Sequence, residues 1–270
     1  MQSKGFKIGF LFFVGLLLFF IIRPLLSEAK EETKIVFFGL GKADSIYIEN
    51  GNENLLIDTG LKEDREALIL KLQALRVKKL DYVLLTHPDK DHIGGASYVL
   101  EHFQIGELIQ SKHFKGTKRE ARIQKVVDQK GIKNTIATED QSFEVGTLKV
   151  NVIVPQKESY GQDNDYSLIT LIEDGDLNYL FGGDAEEERL AELLPLDLPV
   201  IDLYKVAHHG RENKNSEAFI QKIVPKHAVI TNFNETSEID DLLRAEGTTI
   251  RHVFDTDLTV LSDGKIVKIK

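Results

Sequence analysis

Short apolar runs bounded by turn residues alternate with longer segments of helical periodicity along most of the chain. The apolar runs predict strands, and apolar residues three and four apart predict amphipathic helices. Strands are predicted at residues 35–38, 45–49, 54–57, 80–85, 106–109, 133–137, 147–154, 166–172, 177–181, 200–206, 228–231, 249–253, 259–261 and 265–269. Helices are predicted at residues 63–75, 93–103, 117–129, 185–194, 216–224 and 237–245. This alternation, in two similar halves, predicts an α/β fold with two sheets face to face and helices outside.

A separate apolar run at residues 8–22 precedes this pattern and follows Lys4 and Lys7. The run is long for the core of a signal peptide and short for a full membrane span. Residues 1–29 are therefore interpreted either as an N-terminal membrane anchor or as a signal peptide cleaved after Ala29. Basic residues before the run keep the N-terminus cytoplasmic, so both interpretations place residues 34–270 outside the membrane. A buried core helix is the remaining alternative.

Composition narrows the classes of function. The chain has 34 Lys and Arg residues against 43 Asp and Glu residues, a net charge of −9, so no basic surface is implied globally. A phosphodiester would be held mainly through metal ions. The absence of cysteine excludes disulfides, thiolate nucleophiles and cysteine zinc sites. The helix predicted at residues 117–129 is basic, and its face either binds phosphate or is simply solvated.

Four residues of metal-ligand type lie within six positions, in the loop between the strand predicted at 80–85 and the following helix. They are His87, Asp89, Asp91 and His92. Carboxylate and imidazole together are a ligand set for divalent metals. A polar loop with helix-capping aspartates is the alternative interpretation of this stretch alone.

Two further strands are followed by residues of the same type. Asp184 comes after the strand predicted at 177–181, and His208 and His209 come after the strand predicted at 200–206. The carboxyl ends of strands are where α/β folds place their sites. The sequence therefore predicts one site built from three loops.

These motifs resemble those of the metallo-β-lactamase-fold hydrolases, and among them the extracellular domain of ComEC-type competence proteins. The resemblance rests on four motifs: Thr-His-Pro-Asp-x-Asp-His-Ile-Gly-Gly at 86–95, Asn-Asp-x-Ser-Leu at 164–168, Gly-Asp at 183–184 and Lys-Val-x-His-His-Gly at 205–210. It runs from about residue 34 to the C-terminus. It implies a four-layer αββα sandwich.

The resemblance also implies two divalent ions, Mn²⁺ or Zn²⁺, that lower the pKa of a water between them. The implied ligands are His87, Asp89 and Asn164 for the first ion, Asp91, His92 and His208 for the second, and Asp184 for both. His209 could replace His208, and the sequence does not choose between them. The histidine that does not bind metal would polarise the scissile group or donate to the leaving oxygen. The catalytic set is accordingly Asp91, Asp184 and His209.

Three more positions follow from the resemblance. Asp58 matches a residue that lies beside the metal loop and orients it, although Asp-Thr-Gly is also a common turn sequence. Lys42 and Arg211 stand where the family pattern has Gln and Ser, and each would either contact an anionic substrate or face solvent. Because Asp89 and Asn164 replace histidines, the first ion is expected to have more oxygen ligands, which suits Mn²⁺.

The implied function is that of an extracytoplasmic metal-dependent hydrolase, a phosphodiesterase or nuclease. The substrate is a phosphodiester, with single-stranded DNA as the leading candidate. In ComEC-type proteins the similar domain is associated with degrading the non-transported strand. No obligate protein partner is inferred, and the membrane is a partner only if the N-terminal segment is uncleaved. The alternatives are a hydrolase of a cell-wall phosphate ester or other exported ester, and a non-catalytic metal-binding sensor.

Overall fold

The structure is a computed structural model that describes residues 32–232 and 238–270. Residues 32–270 belong to one compact unit. The strands are β1 (Thr33–Phe37), β2 (Ile46–Asn50), β3 (Glu53–Ile57), β4 (Lys79–Leu85), β5 (Gln104–Ser111), β6 (Lys133–Ala137), β7 (Gln141–Val145), β8 (Leu148–Ile153), β9 (Ile169–Asp174), β10 (Leu177–Phe181), β11 (Leu203–Lys205), β12 (His227–Ile230), β13 (Thr249–His252), β14 (Leu258–Ser262) and β15 (Val267–Ile269). The helices are α1 (Arg65–Ala74), α2 (Lys90–Ile93), α3 (Ala96–His102), α4 (Lys118–Lys130), α5 (Glu187–Leu193), α6 (Ser216–Ile223) and α7 (Glu238–Ala245).

The strands form two mixed sheets. The first has the order β15-β14-β1-β2-β3-β4-β5-β6, and the second has the order β13-β12-β11-β10-β9-β8-β7. In the first sheet, β3 to β6 run parallel to one another. In the second, β10 to β13 run parallel. Each sheet therefore offers a set of parallel strands whose carboxyl ends can carry a site.

The two sheets pack against each other through apolar side chains. Phe37 of β1 stacks on Phe181 of β10 with ring centroids 6.3 Å apart, and Ile48, Val150 and Ile172 are fully buried between the sheets. Burying an aliphatic or aromatic side chain of this kind contributes about 1.5–3 kcal/mol. This apolar interior joins the two sheets into one unit.

Helices cover the outer face of each sheet. Leu72 of α1, Val99 of α3 and Ile123 of α4 pack on the first sheet. Leu190 of α5 and Phe219 of α6 pack on the second, together with α7. The layers are thus helix, sheet, sheet and helix, which confirms the predicted αββα sandwich.

Helix α4 shows how local sequence sets these elements. Thr117 and Glu120 form a capping box, in which each side chain bonds the other residue's backbone amide. Gly131 ends the helix with φ +61°, a conformation that glycine adopts without strain. The buried Ile123, together with Val126 and Val127, faces the sheet, so the basic residues of the helix point outward.

Three elements differ between the prediction and the structure. The helix predicted at 93–103 is divided into α2 and α3 at Gly94 and Gly95, which pack too closely for any side chain. A Cβ atom would lie 2.4 Å from the Lys62 amide nitrogen at Gly94 and 2.5 Å from the Thr59 carbonyl oxygen at Gly95. The strand predicted at 200–206 is reduced to β11. Strand β7 was not predicted, since its alternation of polar and apolar residues is weak and it lies at a sheet edge.

No helix within residues 32–232 and 238–270 has the length and apolar content needed to cross a membrane. The apolar run at residues 8–22 lies outside the described residues. The choice between membrane anchor and signal peptide for residues 1–29 therefore stays a prediction.

Candidate metal centre

The predicted site residues lie at one edge of the sandwich, where loops from both sheets meet. Asp58 follows β3, and the metal-ligand loop follows β4 in the same sheet. Asp184 follows β10, and the two adjacent histidines follow β11 in the other sheet. The neighbouring strands in each pair run parallel, so their carboxyl ends open at the same edge. This topology brings residues distant in sequence to one place.

Three of these residues have a left-handed backbone. The φ angle is +57° at Asp58, +49° at His208 and +52° at His209. Such conformations cost non-glycine residues about 1–3 kcal/mol each and concentrate at functional sites. The surrounding contacts must therefore hold these residues in place.

Asp58 is fully bonded and orients the metal-ligand loop at both ends. Its Oδ1 accepts from the Thr86 amide at 2.8 Å, and its Oδ2 accepts from the Thr86 hydroxyl at 2.7 Å. The same Oδ2 lies 2.7 Å from His92 Nδ1. A carboxylate on one ring nitrogen fixes the tautomer and the direction of a metal-binding histidine. His92 accordingly directs Nε2 toward Asp184.

The same arrangement is repeated at two other imidazoles. Nδ1 of His87 lies 3.1 Å from the Thr86 hydroxyl, and Nδ1 of His209 lies 2.9 Å from the Thr231 hydroxyl. The Nε2 atoms of His87, His92 and His209 are all buried without a hydrogen bond, as is Oδ1 of Asp184. Buried polar atoms are normally bonded, so four such atoms in one cluster require an explanation. A bound cation would satisfy all of them.

The distances between these atoms fit metal coordination. Nε2 of His92 is 3.1 Å from Asp184 Oδ1. Nε2 of His209 is 3.4 Å from Asp184 Oδ2 and 3.5 Å from Asp91 Oδ2. Ligand atoms bound at about 2.1 Å in a tetrahedral arrangement lie about 3.4 Å apart. His92, Asp184 and His209 therefore have the donor types and the spacing to hold one divalent ion, and Asp91 lies beside His209.

Asp44 also belongs to this cluster. Ligand-type atoms of Asp44, His92, Asp184 and His209 all lie within 4.8 Å of one another. Asp44, however, faces the Nδ1 atoms, at 3.6 Å from His209 and 3.9 Å from His92. It also forms a buried ion pair with Lys205. Asp44 therefore contacts the two imidazoles on their Nδ1 sides and shares Lys205 with Asp184, whose Oδ1 is 3.8 Å from Lys205 Nζ.

Asp44 and Lys205 were not predicted as site residues, although the sequence carries signals for both. Asp44 is the aspartate of the Gly-Lys-Ala-Asp-Ser stretch, and Lys205 opens the Lys-Val-x-His-His-Gly motif. Neither motif states that the two side chains meet. Only the pairing of β10 with β11, and the loop before β2, bring them together.

Charges in the cluster favour a cation. Burial disfavours a charged imidazole, but Asp184 and Asp58 raise the pKa of His92 well above its usual range. Burial likewise opposes protonation of His209, yet Asp184 and Asp44 raise its pKa to about 9. Burial opposes ionisation of Asp184, but His209 and His92 hold its pKa well below the usual range. The negative charges thus attract positive charge to the Nε2 positions.

Asn164 and His208 lie together on the other side of the site. Asn164 Nδ2 donates to Glu186 Oε1 at 2.8 Å and lies 3.3 Å from His208 Nε2. His208 Nδ1 lies 3.2 Å from the same Glu186 oxygen. The structure therefore places His209, and not His208, beside Asp91 and Asp184. The left-handed turn sends the two adjacent rings in different directions, and Thr231 fixes His209. Glu186 had no signal in the sequence motifs.

The remaining predicted residues lie around the centre. Asp89 pairs with Lys115, which also pairs with Asp163 at 2.7 Å. Lys42 and Arg211 are exposed. Burial is the largest cause that lowers the pKa of His208 to about 4, and the charge of Asp184 opposes it. The charges of Arg211 and Lys42 add to the lowering, so both cations lie within electrostatic range of that ring. The catalytic and ligand roles assigned to these residues stay predictions.

Metal affinity is expected to rise with pH between pH 7 and pH 9. His209, with a pKa of about 9, and His92, with a pKa well above its usual range, carry protons that a cation must displace. Each proton released strengthens binding by about tenfold per pH unit. Calorimetric titration of Zn²⁺ into the metal-free protein, in two buffers of different ionisation enthalpy, counts these protons. Binding at pH 7.5 without proton release would contradict the assignment of His92 and His209.

Comparison with known proteins identifies the family. The sequence profile of the metallo-beta-lactamase superfamily matches residues 38–231. ComE operon protein 3 of Bacillus subtilis is 28% identical over 230 residues, which are 78% of this chain and 29% of that protein. Recombination protein 2 of Haemophilus influenzae is 25% identical over 224 residues, 80% of this chain and 26% of that protein. The chain thus spans less than a third of the length of these relatives.

A solved structure agrees with the fold. The metallo-beta-lactamase fold protein YhfI from Bacillus subtilis superposes with a TM-score of 0.59 at 15% identity, over 86% of this chain and 100% of that chain. The motifs, the αββα sandwich and the candidate metal centre agree with these matches. The chain belongs to the metallo-beta-lactamase superfamily, whose members are generally metal-dependent hydrolases.

Proposed function

We propose that this protein is a metal-dependent phosphodiesterase that hydrolyses DNA. The buried cluster of unpartnered histidine Nε2 atoms and the Asp184 oxygen carries this proposal, because it fits a hydrolytic metal centre. Exposed Lys42 and Arg211 at the rim support an anionic substrate. Relatives named for the ComE operon and for recombination support DNA as that substrate.

The residues of the centre would have separate roles in metal-dependent hydrolysis. Divalent ions, when bound, would lower the pKa of water and supply a nucleophile at neutral pH. Asp184 presents one oxygen to His92 and the other to His209, so this carboxylate would hold metal together with both histidines. His87, whose pKa is lowered to about 4 by burial and by the charge of His92, is neutral at pH 7 and ready to act as a ligand.

His208 would act on the substrate through orientation and not as a charged acid. Its pKa of about 4 leaves the ring neutral at pH 7. Asn164 Nδ2 lies beside Nε2, and Glu186 lies beside Nδ1, so both ring nitrogens have partners. Positive charge toward a phosphate then comes from Arg211 and Lys42. His208 would thus supply hydrogen bonds, and Arg211 and Lys42 would supply positive charge, next to the metal centre.

Hydrolysis by the purified, metal-stripped 270-residue chain tests the proposal. Added Mn²⁺ is expected to restore cleavage of single-stranded DNA and of bis(p-nitrophenyl) phosphate, and to support higher turnover than Zn²⁺, because Asp89 and Asn164 would supply oxygen ligands to the first ion. Duplex DNA and RNA serve as comparison substrates. A chain that binds metal but cleaves no phosphodiester would refute the proposal.

Action outside the cytoplasmic membrane is part of the same proposal, supported by Lys4 and Lys7 ahead of the apolar run. Protease added to intact, wall-stripped cells should digest the domain. Complete protection would contradict this location.

A further inference from the structure

A basic groove lies beside the metal-ligand loop and has no role in the site described above. It is a cavity of about 300 Å³ between the start of α3 and the N-terminal part of α4. Five cationic side chains line it: Lys62, Lys90, Lys118, Arg119 and Arg122. Its acidic lining residue is Glu63. A net charge of −9 for the whole chain makes this local excess of positive charge a specific feature of one surface.

The cations of the basic groove are free to bind an anion. Within residues 32–232 and 238–270, none of the five side chains forms an ion pair. Many other basic residues of the described chain do have acidic partners, for example Lys115 with Asp89 and Lys133 with Glu107. Four of the five are exposed, and Arg119 is partly exposed. Acidic residues of the described chain therefore do not neutralise these charges through ion pairs.

The basic groove borders the metal-ligand stretch, since Lys90 and Gly94 of that stretch line it. Lys90 lies between Asp89 and Asp91, one peptide from each. The Lys62 backbone is fixed against the same loop, since a Cβ on Gly94 would lie 2.4 Å from the Lys62 amide nitrogen. A substrate strand whose phosphodiester enters the centre would thus pass these two cations next.

The groove continues along α4. Lys118 and Arg122 are four residues apart and share one face of the helix, about 6 Å apart along its axis. Like charges in this arrangement repel and weaken the helix, and anions between them would remove the repulsion. Cations that repeat along a groove match a chain of phosphates better than a single small anion.

We propose that the basic groove binds the phosphate backbone of the DNA strand being cleaved, next to the scissile phosphodiester. This inference rests on the proposed function and adds the path of the substrate. The candidate ligands His92 and Asp184 are buried, so the strand must bend into the centre, which favours flexible single-stranded DNA. Contacts to backbone phosphates position a strand without reading its sequence.

Binding by catalytically disabled protein tests the groove separately from hydrolysis. The full chain with Asp184→Ala is titrated into a fluorescent single-stranded oligonucleotide, with and without the groove substitutions Lys118→Gln, Arg119→Gln and Arg122→Gln. The groove substitutions should weaken binding by about tenfold or more and reduce the salt dependence of log K by about 2, as expected for three lost single-strand phosphate contacts. A control with Lys125→Gln, Lys222→Gln and Lys268→Gln loses the same charge at exposed positions outside the groove.

Each outcome decides the inference. Equal affinity and equal salt dependence in the groove variant and the control would overturn it. Stronger binding of poly(glycerol phosphate) than of DNA by the parent would overturn the assignment to DNA. In the otherwise unmutated chain, the groove substitutions should raise KM for single-stranded DNA while leaving hydrolysis of bis(p-nitrophenyl) phosphate unchanged. If no phosphodiester is cleaved but the groove still binds DNA, the proposed function fails and the groove assignment stands.

Discussion

Asp184→Ala is expected to lower metal-dependent hydrolysis by at least about 10³-fold, roughly 4 kcal/mol of transition-state stabilisation. The reason is geometric, because the two Asp184 oxygens lie 3.1 Å from His92 Nε2 and 3.4 Å from His209 Nε2. Removing this carboxylate takes a ligand-type atom from both sides of the centre at once. The measurements are kcat/KM on bis(p-nitrophenyl) phosphate and the metal content of the purified protein.

A matched control separates this effect from a general loss of an acidic residue. Asp176 is exposed in the turn between β9 and β10, at the opposite end of the strand that leads to Asp184. Asp176→Ala should change neither activity nor metal content. Thermal unfolding of both metal-free variants checks that each is folded. Activity of Asp184→Ala within about tenfold of the parent, with metal still bound, would show that Asp184 does not hold the metal.

Much of this centre could be predicted because the ends of the strands can be recognised in the sequence. Apolar runs that stop at Asp or His marked Asp184, the histidine pair and the metal-ligand loop, and parallel pairing brought those ends together. Which of His208 and His209 lies beside Asp91 and Asp184 could not be predicted from the sequence. It depends on two successive left-handed residues, a conformation that is uncommon for any non-glycine residue even though histidine is enriched in it.

The clustering of positive charge in the basic groove was the second feature that the sequence did not predict. A net charge of −9 argued against a basic surface, and the predicted basic helix left binding and solvation open. An average over the chain does not reveal that the outward face of α4 lies across a cavity from Lys62 and Lys90. That juxtaposition depends on how α3 and α4 pack on the first sheet, which periodicity alone does not specify.

Lys205→Met is expected to destabilise the metal-free protein by about 3–5 kcal/mol at neutral pH, because it leaves a buried charge without its partner. The side chains of Lys205 and Asp44 are 1% and 2% exposed, and Lys205 also donates to the Gly183 carbonyl at 3.0 Å. Without Lys205, Asp44 remains buried near Asp184, whose charge already acts to raise the pKa of Asp44. Urea denaturation of the metal-free variant and parent measures the difference.

The pH dependence identifies the cause of that loss. Burial opposes ionisation of Asp44, but Lys205 and His209 lower its pKa, so the ionised pair stabilises the fold above the pKa of an unfolded aspartate and loses this effect as pH falls. Without Lys205 the pKa of Asp44 should rise, and protonation should relieve the unpaired charge. The destabilisation should therefore be smaller at pH 5 than at pH 7.5. Lys149→Met removes a lysine that is 55% exposed and paired with Glu173, itself 42% exposed, and should cost no more than about 1 kcal/mol. If Lys205→Met lowers the free energy of unfolding by no more than this control, the buried ion pair does not stabilise the fold around the centre.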